Sequence, residues 1–251
     1  MSFQMARLDN PAGRLHALLT EYRATATDQR SIRATWAHVL GVSEDEAAVA
    51  VIEVGGLIPA IESAVARAGD EAQQEVLSYY RLHWATPITT PDYPTGQTPS
   101  PGKALVDVGA LTALGGLSSF LSSVASEGVV PDAEQIQSLR DKLSHLIEEL
   151  AGADTFPSQF QRLLLDRLHS VLWALDHFRI GGPEATTAAA ERLLGSIQLA
   201  AATTPEVRQH RAAIARVVET VGAVWAIFKA GPTVRNALEA WSALSELPSG
   251  P

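Results

Sequence analysis

Histidine and carboxylate at helical spacing are where this chain comes nearest to chemistry. Asp166 and His169 lie three apart, so a helix sets them on one face, with Trp173 and His177 further along it; His145 and Glu148 share the same spacing. Two such ligands on one face begin a metal site. They do not complete one. A di-iron bundle takes Glu-x-x-His pairs from two helices plus further glutamates, and no Glu-x-x-His occurs in the 251 residues. Asp176-His177 also runs in the opposite order to the His-Asp pair of helical metal phosphohydrolases. The seven histidines read as partly exposed helical residues, and no metal or other cofactor is expected.

Nucleophilic chemistry finds no better support. There is no Gly-x-Ser-x-Gly elbow, no Walker loop and no dinucleotide glycine pattern. Gly115-Gly116-Leu117-Ser118 is glycine-rich, but it sits inside an apolar helical run rather than after a strand. The chain has no cysteine, which removes disulfides and thiolate catalysis and would leave zinc only His and carboxylate ligands. No catalytic residue is assigned.

Two features remain as candidate contact sites. Arg208, His210, Arg211 and Arg216 form the one local basic cluster, a candidate anion or partner patch flanked by Glu206 and Glu219. Pro87 to Lys103 holds five prolines and no helical period, so helix is excluded there and a polyproline-like connector is expected. Its plain reading is a connector across the surface; its functional reading is a partner loop carried by Pro91, Tyr93, Pro94, Pro99 and Pro101.

Charge narrows the partner class. The net charge is −9, and only three lysines stand beside sixteen arginines. An acidic chain is repelled by phosphate backbones and anionic lipid heads, so nucleic acid and resting membranes are disfavoured. Residues 1–10 lack the apolar core of a signal peptide, and a cytoplasmic location is expected. The alanine- and arginine-rich composition suits a GC-rich bacterial genome.

Proline punctuation defines the elements around these residues. Pro131, Pro157, Pro183, Pro205 and Pro232 recur every 22 to 27 residues, where helices of about 20 residues would begin. Asn10-Pro11 opens a first helix, Asp28 is expected to cap a second that Gly41 ends, and Ser43 to Glu46 matches a capping box. Gly55-Gly56 and Pro59 divide the next run into two shorter helices, and Asp70 caps another. No segment alternates with period two. The fold class is all-α: a multi-helix bundle or array of about nine to ten antiparallel helices. The expected organisation is an N-terminal helical subdomain (1–86), the proline-rich segment (87–103) and a C-terminal bundle (104–251). Trp36, Leu40, Leu168, Leu172, Leu175 and Trp225 are the expected core.

Val108 to Ser126 is nineteen residues without a charge. That length approaches a membrane span, but nine of the nineteen are Ser, Thr or Gly, which favours a buried central helix in close contact with neighbours. A shorter apolar run, Val221 to Phe228, is expected to pack in the core or at a dimer interface. The stretches Thr35–Gly41 and His177–Gly182 resemble segments of uncharacterised bacterial helical proteins, a resemblance that implies helices and brings no activity.

The functional expectation is a non-catalytic cytoplasmic bacterial protein acting through a protein partner or self-assembly. Its rivals are a membrane-active effector, a toxin or defence protein exposing residues 108–126, and an enzyme whose helical site has no recognisable signature.

Overall fold

The computed structural model describes residues 8–27, 29–90, 102–124, 131–152 and 156–228; for Arg208 and residues 225–227 only the backbone is described. Among them every regular element is helical. In chain order these are α1 (Pro11–Thr25), α2 (Ile32–Leu40), α3 (Glu44–Gly55), α4 (Leu57–Ala68), α5 (Glu71–Thr89), a 3₁₀ turn (Gly102–Leu105), α6 (Val108–Val124), α7 (Ala133–Ala151), α8 (Ser158–Asp176), α9 (Phe178–Thr203), the single turn α10 (Pro205–Arg208) and α11 (Arg211–Phe228).

Local chemistry sets the ends. Asn10 accepts from the Gly13 amide at 2.9 Å and Pro11 follows it inside the first turn of α1. Ser43 and Glu46 form the reciprocal capping box of α3, and Asp132 with Gln135 repeats it on α7. Gly41 ends α2 at φ 70°, a conformation a β-carbon would strain. Ser31 caps α2, accepting from Ala34 at 3.0 Å; Asp28, expected in that role, lies outside the described residues. Gly182 (φ 64°, ψ −167°) breaks α9 just before Pro183, which starts its second, longer stretch.

The expected exclusion of helix from Pro87 onward is corrected at its ends. α5 continues through Pro87 to Thr89, and Gly102–Leu105 forms the 3₁₀ turn. Pro87 lies within the last turn of α5, so its missing N–H removes one hydrogen bond. Its buried ring and its carbonyl, which accepts from Trp36 Nε1 at 2.8 Å, hold the turn in place. Pro91, Tyr93, Pro94, Pro99 and Pro101 lie outside the described residues.

The chain forms two compact units, Met1–Glu127 and Gly128–Pro251. α6 belongs to the first, so the division falls past the proline-rich segment and the 104–251 grouping loses its first helix. The first core gathers Leu15, Leu18, Tyr22, Trp36, Ile61, Trp84 and Leu114, with the Tyr22 and Trp36 rings 4.7 Å apart. Trp84 Nε1 donates to the Ala110 carbonyl at 2.8 Å and ties α5 to α6. The second core runs through α7, α8, α9 and α11, centred on Leu143, Leu164, Leu168, Leu193 and Val217. Of the expected core, Trp36, Leu168 and Leu175 are buried. Leu40 and Leu172 are half-buried, and the Trp225 side chain lies outside the described residues.

Candidate functional site

In the second unit the described side chains of the basic cluster have partners of their own. Arg216 pairs with Glu149 of α7, and His210 meets Phe156 edge to face with ring centres 5.4 Å apart. Arg211 is engaged, and the Arg208 side chain is outside the described residues. The helical histidines have structural partners too. His169 Nδ1 lies 2.7 Å from the Leu165 carbonyl, and His177 stacks on the exposed Trp173 at 3.8 Å with Nδ1 3.0 Å from the Trp173 carbonyl. Among the described residues no three His, Asp or Glu side chains gather as a metal site. Asp176 instead holds Arg140 of α7 at 2.5 Å.

In the first unit α1 and α6 form a polar-lined seam. The Asn10 amide donates to the Ser118 carbonyl at 3.1 Å and to Ser122 Oγ at 2.8 Å. At the other end Arg23 donates to the Val106 carbonyl at 2.7 Å and the Lys103 carbonyl at 2.9 Å. The two helices therefore run in opposite directions. Between these ends the His16 ring faces Gly115 so closely that a β-carbon there would lie 3.3 Å from Nε2. Burial lowers the His16 pKa below its ordinary value, and no charge on α6 opposes that. The Glu46 carboxyl is lowered as well, by its hydrogen bonds to the Ser43 side chain and backbone in the α3 cap. Both shifts trace to helix ends and helix contacts.

α6 differs from the buried central helix expected of residues 108–126. Ala110, Leu114, Leu117, Ser118 and Leu121 are buried against α1, α4 and α5. Val108, Thr112, Gly116, Ser119, Ser123 and Val124 face water. The small residues do permit close contact, but on one face only.

The surface that sequence reasoning missed lies on α3, α4 and α5. α3 and α4 continue one another as a 25-residue helix, Glu44–Ala68. Gly56 between them stays in the right-handed helical region and its amide donates to the Ile52 carbonyl at 3.2 Å. One stripe of this rod, Ala47, Ala50, Val54, Leu57, Ile61 and Val65, is buried. Yet Val49 is 60% and Ile52 74% exposed. α5 runs back along the rod, placed by the Arg81–Glu62 pair at 3.2 Å and by Ile88 packing on Gly55. It turns Tyr79 and Leu82 outward, each 68% exposed, with Tyr79 stacked on His83 at 6.0 Å. The available signal was a second apolar stripe: Val49 and Ile52 are out of phase with Ala47, Ala50 and Val54, so the helix asks for two partners.

No family model, curated protein or solved structure matches the chain.

Proposed function

We propose that this chain is a non-catalytic helical interaction protein of the bacterial cytoplasm, whose N-terminal unit docks a protein partner or a second copy through apolar side chains on α3 and α5. The observation that carries the reading is the exposure of Val49, Ile52, Tyr79 and Leu82 on packed neighbouring helices. Scattered exposed apolar residues are ordinary on soluble proteins; here each of two packed helices exposes a pair of large ones a turn apart, Val49 with Ile52 and Tyr79 with Leu82, which suits a contact surface. The acidic chain suits a partner with a basic or polar rim.

The test is Ile52→Asp and Leu82→Asp, each and together, read by light scattering for self-association and by affinity capture from the native host. Loss of association with unchanged helicity supports the reading. Association indifferent to both substitutions removes it.

One observation favours a lipid surface as the second reading: Glu44–Ala68 is long and apolar enough to cross a membrane by length and composition. The charge-free run of α6 is 17 residues in the structure. Dye release from liposomes, abolished by Ile52→Asp, would favour this reading; release abolished instead by Leu114→Asp would place the active segment at 108–126.

A further inference from the structure

The exposed side of the α3–α4 rod follows a heptad. Val49, Ile52, Gly56, Pro59, Ser63 and Ala66 step by three and four residues alternately, and all six face water. Only 28% of the most apolar eighteen residues of this rod is buried within the chain. The large apolar members occupy one half of the stripe and the small ones the other. Asp45 lies eleven residues before Gly56 and Arg67 eleven residues after it, both exposed and, among the described residues, neither in an ion pair.

We propose that this stripe is the interface of an antiparallel homodimer, in which the α3–α4 rods of two copies cross at Gly56. The inference rests on the interaction reading above and names the second copy as the occupant. A two-fold axis through Gly56 pairs each position with the one equally far on the other side. Val49 then meets the partner copy's small half near position 63, and Ile52 meets it near position 60. Asp45 of each copy meets position 67 of the other. Large against small lets the backbones approach, and acid meets base at both ends. A parallel pairing fails on both counts, because it sets Asp45 against its own copy and leaves the small half facing itself. A straight helix drifts about 20° per heptad from such a stripe, so close apolar contact spans roughly two turns on either side of the crossing, and the Asp45 and Arg67 charges attract each other at its rim, about three turns out.

Sedimentation over a concentration series should show a monomer–dimer equilibrium that Ile52→Asp abolishes. Asp45→Arg and Arg67→Asp should each weaken the dimer roughly tenfold, since each pair occurs twice across the axis, and the double exchange should restore it. The chain has no cysteine, which allows an oxidation test of direction. Val49→Cys with Ser63→Cys in one chain should cross-link two copies under mild oxidation, while Val49→Cys alone should not. Cross-linking by Val49→Cys alone overturns the antiparallel register. A wild-type chain that stays monomeric throughout overturns the second-copy inference. If such a monomer still captures a host protein through Ile52 or Leu82, the interaction reading stands without it. If capture is lost too, both fall. Vesicle binding by the monomer that Ile52→Asp removes assigns the stripe to lipid and overturns the dimer.

Discussion

His16 leans from α1 onto the backbone of Gly115, on a helix without a single charged side chain to steady an imidazolium. Burial lowers its pKa in the folded chain, so below about pH 6.5 the unfolded chain binds a proton that the folded one resists. The stability from this contact is complete above that pH and is lost as pH falls through the folded value. Urea titrations from about pH 7 down to about pH 5 should show a falling midpoint, and His16→Gln should flatten that part of the curve. An unchanged slope in the variant would assign the pH dependence elsewhere. Trp36 gives a larger effect, because its ring is buried beside Tyr22 and its N–H satisfies the Pro87 carbonyl. Trp36→Ala should cost about 3–5 kcal/mol. Leu172→Ala, at a half-buried site, should cost less than about 2 kcal/mol in the same denaturant titration. The burial of Trp36 was legible from its spacing with Ile32, Val39 and Leu40. The place of His16 was not, because its partner is a glycine on a distant helix and glycine leaves no pattern to read.

Helix ends were the most legible elements. Asn10, Ser43, Asp70 and Gly41 act locally, through atoms within four residues, so sequence alone names their roles. Elements held by tertiary contacts were less so. α5 outlasts Pro87 because Trp36 and the core hold its last turn, and α6 is one-sided because α1, α4 and α5 cover only one of its faces. Asn10 joins both kinds of information, capping α1 with its carbonyl oxygen and reaching Ser118 and Ser122 with its amide. Asn10→Ala should therefore cost about 1–3 kcal/mol, more than a cap alone. Asn10→Ser keeps a capping oxygen but cannot span to α6, and it should recover part of that loss. Full recovery by Asn10→Ser in thermal melts would mean that the reach to α6 contributes nothing, and equal losses for the two variants would mean that the cap contributes nothing.

At the scale of the whole molecule, the all-α class was legible because caps, prolines and a 3.6-residue period agree along the chain. The boundary was not. Composition points to the proline-rich stretch, whereas the contacts put the division at Glu127 and Gly128. Composition reports where a chain cannot be helical; it does not report which helix covers which core. α6 lies beyond the prolines in sequence, yet it supplies Leu114 and Leu117 to the first core, receives Trp84 through the Ala110 carbonyl, and closes the face of α1 at Asn10 and Arg23. A fragment of residues 1–127 should thus melt cooperatively, with the helicity its five complete α-helices and α6 require. A fragment of residues 1–103 keeps α1 to α5 but exposes Leu15, Leu18 and Trp84 and strips the Ser118 and Ser122 partners of Asn10 and the Val106 partner of Arg23. The lost burial alone, at about 25 cal/mol per Å² over several large side chains, is comparable with the ~5–15 kcal/mol that stabilises a domain. The shorter fragment should show a broad, non-cooperative transition and bind a hydrophobic dye. A sharp melt from residues 1–103, at the temperature of residues 1–127, would return α6 to the C-terminal half and move the domain boundary back to the prolines.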